Sequence, residues 1–279
     1  MRKNKHLLIA LCLFVMIVYS QHIYDSNTDY FKKKNVFLAL PSSKSLKILS
    51  LGNSEFVADM IYLWSIQFFS NYTLLNAGDF IEDIYNLITD VAPKYLDPYL
   101  IGSTIMVMEL GRTEMAIRLL QKGSENIKDE WIFDFDSGYY ASKYLKDFKR
   151  AEKYYKKASE IKNAPKFLKR MLLHSVYMQG RLEESWKLWQ EVLDNAKSDL
   201  EVHSARLHLY QIKFELDKRS IKSALDRFHK RYGFYPKKID ELCVYGYIKK
   251  IPKDFKGNSY KYDSKKGTID PEAGYMWKK

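Results

Sequence analysis

Histidine, cysteine and acidic residues are the side chains most able to carry chemistry in this chain, and their spacing decides which chemistry is open to them. There are six histidines and two cysteines. His203 and His208 are five residues apart, which places them off a common helical face. Cys12 and Cys243 have no cysteine or histidine at ligand spacing. We therefore expect neither a metal site nor a disulfide framework.

The sequence also lacks the short motifs that mark nucleotide sites and hydrolase sites. It has no glycine-rich phosphate loop and no Gly-x-Ser-x-Gly turn around a serine nucleophile. Acidic pairs such as Glu183-Glu184 fall on a face that is predicted to be solvated. The sequence therefore predicts a binding protein rather than an enzyme, with no cofactor and no small-molecule substrate.

Asp59 is the one acidic residue with a specific functional interpretation. It lies in a long apolar segment, residues 54–72. The segment predicts either a buried helix or a second membrane span, and we favour the buried helix because a charged residue inside a bilayer is costly. Asp59 is then either a buried functional carboxylate that meets a partner, or a carboxylate bonded to a neighbouring backbone group or tyrosine hydroxyl.

A sequence repeat positions most of the other candidates. Residues 114–120, 149–155 and 183–189 each contain a small residue followed four positions later by a large apolar one. The small residues recur 35 and then 34 residues apart, at Ala116, Ala151 and Ser185. Residues four apart share a helix face. The small side chain can therefore let a neighbouring helix approach, while the large one fills the space beside it.

An earlier helical stretch and a turn signal precede each of these segments. The stretches are residues 98–109, 133–145 and 166–178, and the turns are Gly111, Lys146-Asp147 and Gly180. A single helix pair cannot bury its apolar face, so such pairs stack on one another. The predicted fold is mainly α, with stacked antiparallel helix pairs over residues 54–217.

Residues 79–217 resemble the tetratricopeptide repeat family. Four residues match its first-helix glycine, second-helix alanines and closing proline, namely Gly138, Ala151, Ala158 and Pro165. The glycine-to-alanine separation is one residue longer than usual, and Thr104 and Leu173 stand where the family has a small residue. The resemblance implies an α-solenoid that binds other proteins.

In that family the first helix of each pair lines a concave groove, so the resemblance implies a binding strip. The implied strip consists of Tyr139, Lys143, Arg170, His174 and Tyr177. Spacings of four and three keep its members on one face of each helix. Such a strip suits an acidic or C-terminal peptide segment, with Lys143 and Arg170 meeting carboxylates. The same residues also fit ordinary solvated or packing positions, and both interpretations stay open.

Residues 218–279 change pattern and predict a small α+β module. A helix over residues 220–232 is followed by two alternating segments, 260–262 and 267–269, which predict a short β-hairpin. Nine residues of the module match a known family in order, namely Gly233, Tyr235, Pro236, Leu242, Pro252, Asp254, Gly257, Tyr260 and Tyr262. Through them, residues 219–270 resemble the globular end of the type II secretion major pseudopilins. The prepilin-peptidase pattern is missing, so we do not expect a pilin subunit. The alternative is a simple cap on the last helix pair.

The N-terminal residues predict a membrane anchor. A basic tail precedes an unbroken apolar run over residues 7–19. We interpret residues 1–24 as an uncleaved signal-anchor or transmembrane helix, with a cleaved secretory signal as the alternative, and residues 25–53 as a linker. By the positive-inside rule we expect a single-pass protein of the inner membrane whose C-terminal bulk faces the periplasm or the outside.

The formal net charge of +12 has two explanations. An acidic partner, a nucleic acid or an anionic membrane surface would each suit it. We favour the second explanation, lysines spread over solvated faces, because no nucleic-acid motif accompanies them. The predicted function is a membrane-anchored scaffold outside the cytoplasm that holds other proteins in an envelope assembly. The alternatives are a holdase-type chaperone for exported proteins and a basic nucleic-acid-binding protein.

Overall fold

The computed structural model describes residues 13–20 and 34–271 of the chain. The chain divides into two compact units, Met1–Lys128 and Asp129–Lys279. Residues 13–20 are helical. The rest of the predicted anchor over residues 1–24 lies outside the described residues.

The predicted location in the inner membrane is wrong. In the described residues, no helix is both long enough and apolar enough to cross a membrane. A membrane span needs about 20 mostly apolar residues, whereas the apolar run that suggested the anchor, residues 7–19, has 13. The rejected second span, Ser54–Phe69, is a helix of 16 residues. We therefore withdraw the single-pass topology with its C-terminal bulk facing the periplasm or the outside.

Short helices that pack on their neighbours form the first unit. They are α1 (Ser43–Leu49), α2 (Ser54–Phe69), a 3-10 turn (Ala77–Phe80), α3 (Ile81–Val91), α4 (Leu96–Met108) and α5 (Thr113–Asn126). From α2 onward each helix contacts the next, and α3 also contacts α1 and α5. Helix α1 lies inside the segment that was predicted to be a linker.

Helix α3 is the centre of the first unit because its apolar stripe is fully buried. Ile81, Ile84, Tyr85 and Ile88 are all 0% exposed, at the spacings of three and four that form one helical face. In α4, Gly102 lies against the Tyr85 ring. A Cβ atom at Gly102 would be 2.5 Å from Cδ1 of that ring, so only glycine allows the two helices to approach this closely.

Part of the basic charge of the first unit is already neutralised within the unit. Arg118 of α5 pairs with Glu82 of α3 at 2.8 Å, and Lys122 pairs with Asp90 at 2.6 Å. Exposed pairs of this kind stabilise a fold by about 1 kcal/mol or less. They do show that these cations need no external partner.

The second unit continues the pattern of helix on neighbouring helix and ends in a hairpin. Its elements are α6 (Ile132–Lys143), α7 (Phe148–Glu160), α8 (Phe167–Met178), α9 (Leu182–Asp194), α10 (Asp199–Tyr232), α11 (Glu241–Val244), β1 (Lys261–Asp263) and β2 (Thr268–Asp270). Helices α6 to α10 each pack on the next. The predicted mainly helical fold with stacked neighbouring helices is confirmed, and the observed first helices begin and end within two residues of their predicted bounds.

The junction of α6 and α7 shows why the repeat has its small residues. Gly138 lies against the buried Tyr155 ring, and a Cβ atom there would be 2.8 Å from Cδ1 and Cε1 of the ring. Ala151 is fully buried in α7. The turn between the helices places Lys146 at a positive φ of 56°, and the Asp147 side chain caps α7 by accepting a hydrogen bond from a backbone N–H of its first turn.

Helix α10 differs from the sequence prediction. It is one continuous helix of 34 residues, capped by Ser198 at its start and by Gly233 in the left-handed conformation at its end. The prediction of a separate helix starting at residue 220 is therefore wrong. The predicted boundary after residue 217 falls inside α10. No glycine or proline interrupts residues 199–232, so nothing stops the helix from continuing.

The C-terminal module packs on the second half of α10 and contains the predicted hairpin. Strands β1 and β2 pair antiparallel, with Tyr262 opposite Ile269. The core of the module consists of Phe214, Ile221, Ala224, Leu225, Phe228, Leu242, Tyr260 and Ile269. Inside it, the Asp217 carboxylate accepts hydrogen bonds from the Tyr260 hydroxyl at 2.6 Å and from Lys213 Nζ at 2.5 Å. The charge is thus held by two donors and has a structural role.

The Gly138 contact gives a first prediction. Replacing a helical glycine by alanine usually stabilises a helix by about 1 kcal/mol. Gly138→Ala should instead destabilise the protein by about 1–3 kcal/mol, because the new methyl group meets the packed Tyr155 ring. The measurement is the free energy of unfolding in urea. Lys143→Ala, at an exposed position of the same helix, is the control and should change it by about 0.5 kcal/mol or less. A more stable Gly138→Ala protein would refute the contact.

Candidate functional site

Two residues of the predicted binding strip, Tyr139 and Lys143, lie on α6. Lys143 is exposed and Tyr139 is half-buried. The Lys143 ammonium lies 5.8 Å from the centre of the Tyr139 ring, within the range of a cation–π contact. The Tyr139 ring also stacks on Phe135 with 6.4 Å between ring centres. The two strip residues therefore share one face, with the aromatic ring fixed and the cation at the surface.

The other three strip residues lie on α8. Arg170 is half-buried, and His174 is exposed with its ring centre 6.3 Å from that of Tyr177. Protein atoms around the imidazole remove enough water to lower the pKa of His174. The Tyr177 hydroxyl accepts a hydrogen bond from Nε2 of Gln211, in α10, at 2.9 Å. Tyr177 is therefore partly a packing residue, whereas Arg170 and His174 remain accessible.

An aromatic cluster that no motif in the sequence indicates connects α6 to α8. Phe167, at the start of α8, contacts Trp131 and Phe135 edge to face, with ring centres 5.9 and 5.4 Å apart. Edge-to-face pairs of this kind add about 0.5–1.5 kcal/mol beyond burial. Within the described residues, no hydrogen bond, ion pair or ring contact joins Tyr139 or Lys143 directly to the strip residues of α8. The cluster, together with helix α7, which packs on both α6 and α8, holds the two parts of the strip in register.

A charged cleft lies beside the α8 part of the strip. Its volume is about 400 Å³. It is lined by Ser159, Ala164, Pro165, Lys166, Lys169, Arg170, Trp189, Val192, Asn195, Lys197, Glu201 and Ser204. Four of these side chains are cationic and one is acidic. The strip residue Arg170 thus belongs to a wider basic site that extends to α9 and α10.

Two stacked rings lie at this site. The Trp189 indole and the His208 imidazole are almost parallel, with 3.9 Å between their centres and 17° between their planes. Trp189 is 0% exposed although it borders the cleft. Burial lowers the pKa of His208 to about 4, and the nearby His174 and Arg170 act in the same direction. His208 is therefore neutral at physiological pH, which suits its stacking on the indole.

Asp59 is not a buried carboxylate, so that part of its prediction is wrong. The residue is exposed on α2. Its carboxylate interacts with the Tyr95 hydroxyl, and burial of that hydroxyl together with its hydrogen bond to Asp59 raises the pKa of Tyr95 to about 12. This matches the alternative interpretation, a carboxylate held by a tyrosine hydroxyl. Asp59 also borders an open cavity between the start of α2 and the end of α3.

Helix α2 is only partly buried, contrary to the sequence prediction. Ala58, Ser65 and Phe68 are its buried residues. Phe56 and Leu63 are 64% and 57% exposed, and they lie with other exposed apolar side chains on the opposite side of the helix. The sequence could not separate these cases, because a helix that is apolar all round predicts burial whatever surrounds it. The exposed apolar face is typical of a protein contact surface.

The comparisons with known proteins do not assign the chain to a family. No family model matches it, and no curated protein is similar enough to count as a relative. Within residues 13–20 and 34–271, no group of three or more histidine, cysteine or acidic residues is placed to hold a metal ion. Three candidate sites remain. They are the binding strip on α6 and α8, called the basic strip below, the charged cleft that contains Arg170, called the basic cleft below, and the apolar face of α2.

The low pKa of His208 predicts how stability depends on pH. The folded pKa is about 4 and the ordinary value is 6.5, so the unfolded chain binds the proton more readily. The stabilisation is complete above about pH 6.5 and is lost as the pH falls towards 4. A shift of this size in the pKa of His208 corresponds to a loss of up to about 3 kcal/mol in the free energy of unfolding.

The measurement is the free energy of unfolding in urea between pH 7 and pH 4. His208→Phe keeps a flat ring against Trp189 but cannot titrate, so its stability should fall less steeply than that of the wild type. His203→Phe, at an exposed position of the same helix, is the matched control and should keep the wild-type slope. Equal slopes for the wild type and His208→Phe would contradict the assignment.

Proposed function

We propose that this chain is a scaffold of the tetratricopeptide type, which binds segments of other proteins on the first helices of its pairs. The observation that carries the proposal is the strip on α6 and α8. Lys143 is exposed beside the Tyr139 ring, His174 is exposed beside the Tyr177 ring, and Arg170 is half-buried. The predicted role in an envelope assembly depended on a membrane anchor and is not part of the proposal.

The local contacts of the second unit support the family likeness. Gly138 lies against Tyr155, Ala151 and Ala158 are fully buried, and the turns before α7 and α9 each contain a residue at positive φ. These are the positions at which the family pattern requires close helix approach or a tight turn. For the end of the chain we propose a pseudopilin-like cap, because Leu242 and Tyr260, which match that family, belong to its core.

The charge of the strip favours an acidic partner segment. Arg170 offers a planar fork of donors that fits a carboxylate, and Lys143 offers a mobile point charge. Neither side chain forms a salt bridge with any residue between 34 and 271. Both cations are therefore available without first breaking an internal pair, unlike Arg118 and Lys122 of the first unit.

A second candidate function is a chaperone that holds unfolded chains. The exposed apolar face of α2, with Phe56 and Leu63, favours it. Such a surface binds apolar segments with little selectivity, whereas the basic strip predicts one acidic partner. Chemical crosslinking in the native cells separates the two functions. One recurring partner supports the scaffold, and many unrelated captured chains support the chaperone.

Reversing the charge of the strip tests the scaffold proposal. The double variant Lys143→Glu with Arg170→Glu should lose at least tenfold in partner capture, because two attractive contacts with carboxylates become repulsive. Partner capture by crosslinking is the measurement, and circular dichroism verifies that the fold is kept. The control is Lys149→Glu with Lys187→Glu, which changes two exposed lysines of α7 and α9 by the same charge. Full capture by the strip variant, or an equal loss in the control, would refute the strip.

A further inference from the structure

The basic cleft between α8, the end of α9 and the start of α10 contains more positive charge than its own residues neutralise. Lys166 Nζ is 3.0 Å from Oε1 of Glu201, and the Lys197 backbone N–H donates to Oε2 at 2.8 Å. Glu201 is the only acidic side chain that lines the cleft, and it also interacts electrostatically with Arg170. The side chains of Lys169, Arg170 and Lys197 form no hydrogen bond or salt bridge within the described part of the chain.

A buried donor at the same place lacks an acceptor. Trp189 borders the cleft and is 0% exposed, yet its indole Nε1–H has no hydrogen-bond partner in residues 34–271. Leaving a buried donor unsatisfied costs about 1–3 kcal/mol, and such groups are rare in folded proteins. An anion in the cleft would relieve the repulsion among the three cations, and the unsatisfied indole N–H shows that a wall residue of the cleft lacks an acceptor.

We infer that this cleft binds an organic phosphate, with the phosphate dianion held by Lys169, Arg170 and Lys197 and an apolar group packed on the cleft wall. Three cations without a salt bridge suit a dianion better than a single carboxylate, and the arginine fork matches phosphate oxygens. Pro165, Val192 and Trp189 supply apolar surface at the same site. The volume of about 400 Å³ falls within the usual range for small-ligand pockets.

The proposed ligand goes beyond the scaffold function and does not depend on it. The scaffold needs a protein segment along α6 and α8, whereas the phosphate needs only the cleft. The sequence predicts no small-molecule substrate, because it contains no glycine-rich phosphate loop and no hydrolase motif. No motif marks Arg170, Trp189 or Lys197 either. Their meeting is visible only in the folded chain.

Isothermal titration calorimetry of the full chain tests the inference with three probes. The probes are phenyl phosphate, inorganic phosphate and benzoate, in phosphate-free buffer of low salt at about pH 7.5, where the phosphate dianion predominates because its second pKa is about 6. Phenyl phosphate should bind at least tenfold tighter than each of the other two. Equal binding of benzoate or inorganic phosphate, or no binding of phenyl phosphate, would overturn the inference.

Two variants and a control locate the binding. Arg170→Gln should weaken phenyl phosphate binding at least tenfold. Glu201→Gln should strengthen phenyl phosphate binding several-fold, because the substitution removes the one negative charge of the cleft and releases Lys166. A variant that only damaged the fold would weaken binding instead. Lys187→Gln, at an exposed position of α9 outside the cleft, should leave it unchanged. Unchanged binding in Arg170→Gln, or weaker binding in Glu201→Gln, would show that the phosphate does not occupy this cleft.

Discussion

In both units a glycine lets a tyrosine ring lie against the backbone of a neighbouring helix, and the packing of the helix pairs depends on this contact. Gly102 receives Tyr85 in the first unit, and Gly138 receives Tyr155 in the second. Both rings are fully or almost fully buried. Because packed rings cannot move aside cheaply, these contacts fix the distance and the rotation of the paired helices. They thereby also fix which side chains of α6 remain at the surface.

The charged groups fall into two classes. Some are paired inside the fold and have a structural role, and others are candidates for binding a partner or ligand. Asp217 is satisfied inside the C-terminal module by Tyr260 and Lys213, so its charge belongs to the fold. The cations at the basic strip and the basic cleft behave differently. Arg170, which belongs to both, is half-buried without a salt bridge in the described residues. A partly desolvated cation attracts an anion more strongly than a fully solvated one, which is why both proposals concern this surface.

The sequence predicted those parts of the structure that depend on near neighbours. Helix pairs, the turn at Lys146 and the hairpin follow from periodicity and turn residues, and they were found within a residue or two. The continuous α10 was missed because a change of apolar pattern was taken for a break, although no residue in it stops a helix. The exposure of Asp59 depends on the rest of the folded chain, as does the presence of Arg170, Trp189 and Lys197 at one cleft, and no local pattern encodes either.

The central claim is that partners bind on the first helices and not on the second. Site-specific photo-crosslinking tests it directly, with the photoreactive residue p-benzoylphenylalanine placed at Tyr139 of α6 or at Tyr154 of α7. Both tyrosines are half-buried aromatic positions of the same helix pair, so the comparison is matched. The account predicts a crosslinked partner from position 139 and none from position 154. Crosslinking from position 154 alone would contradict it.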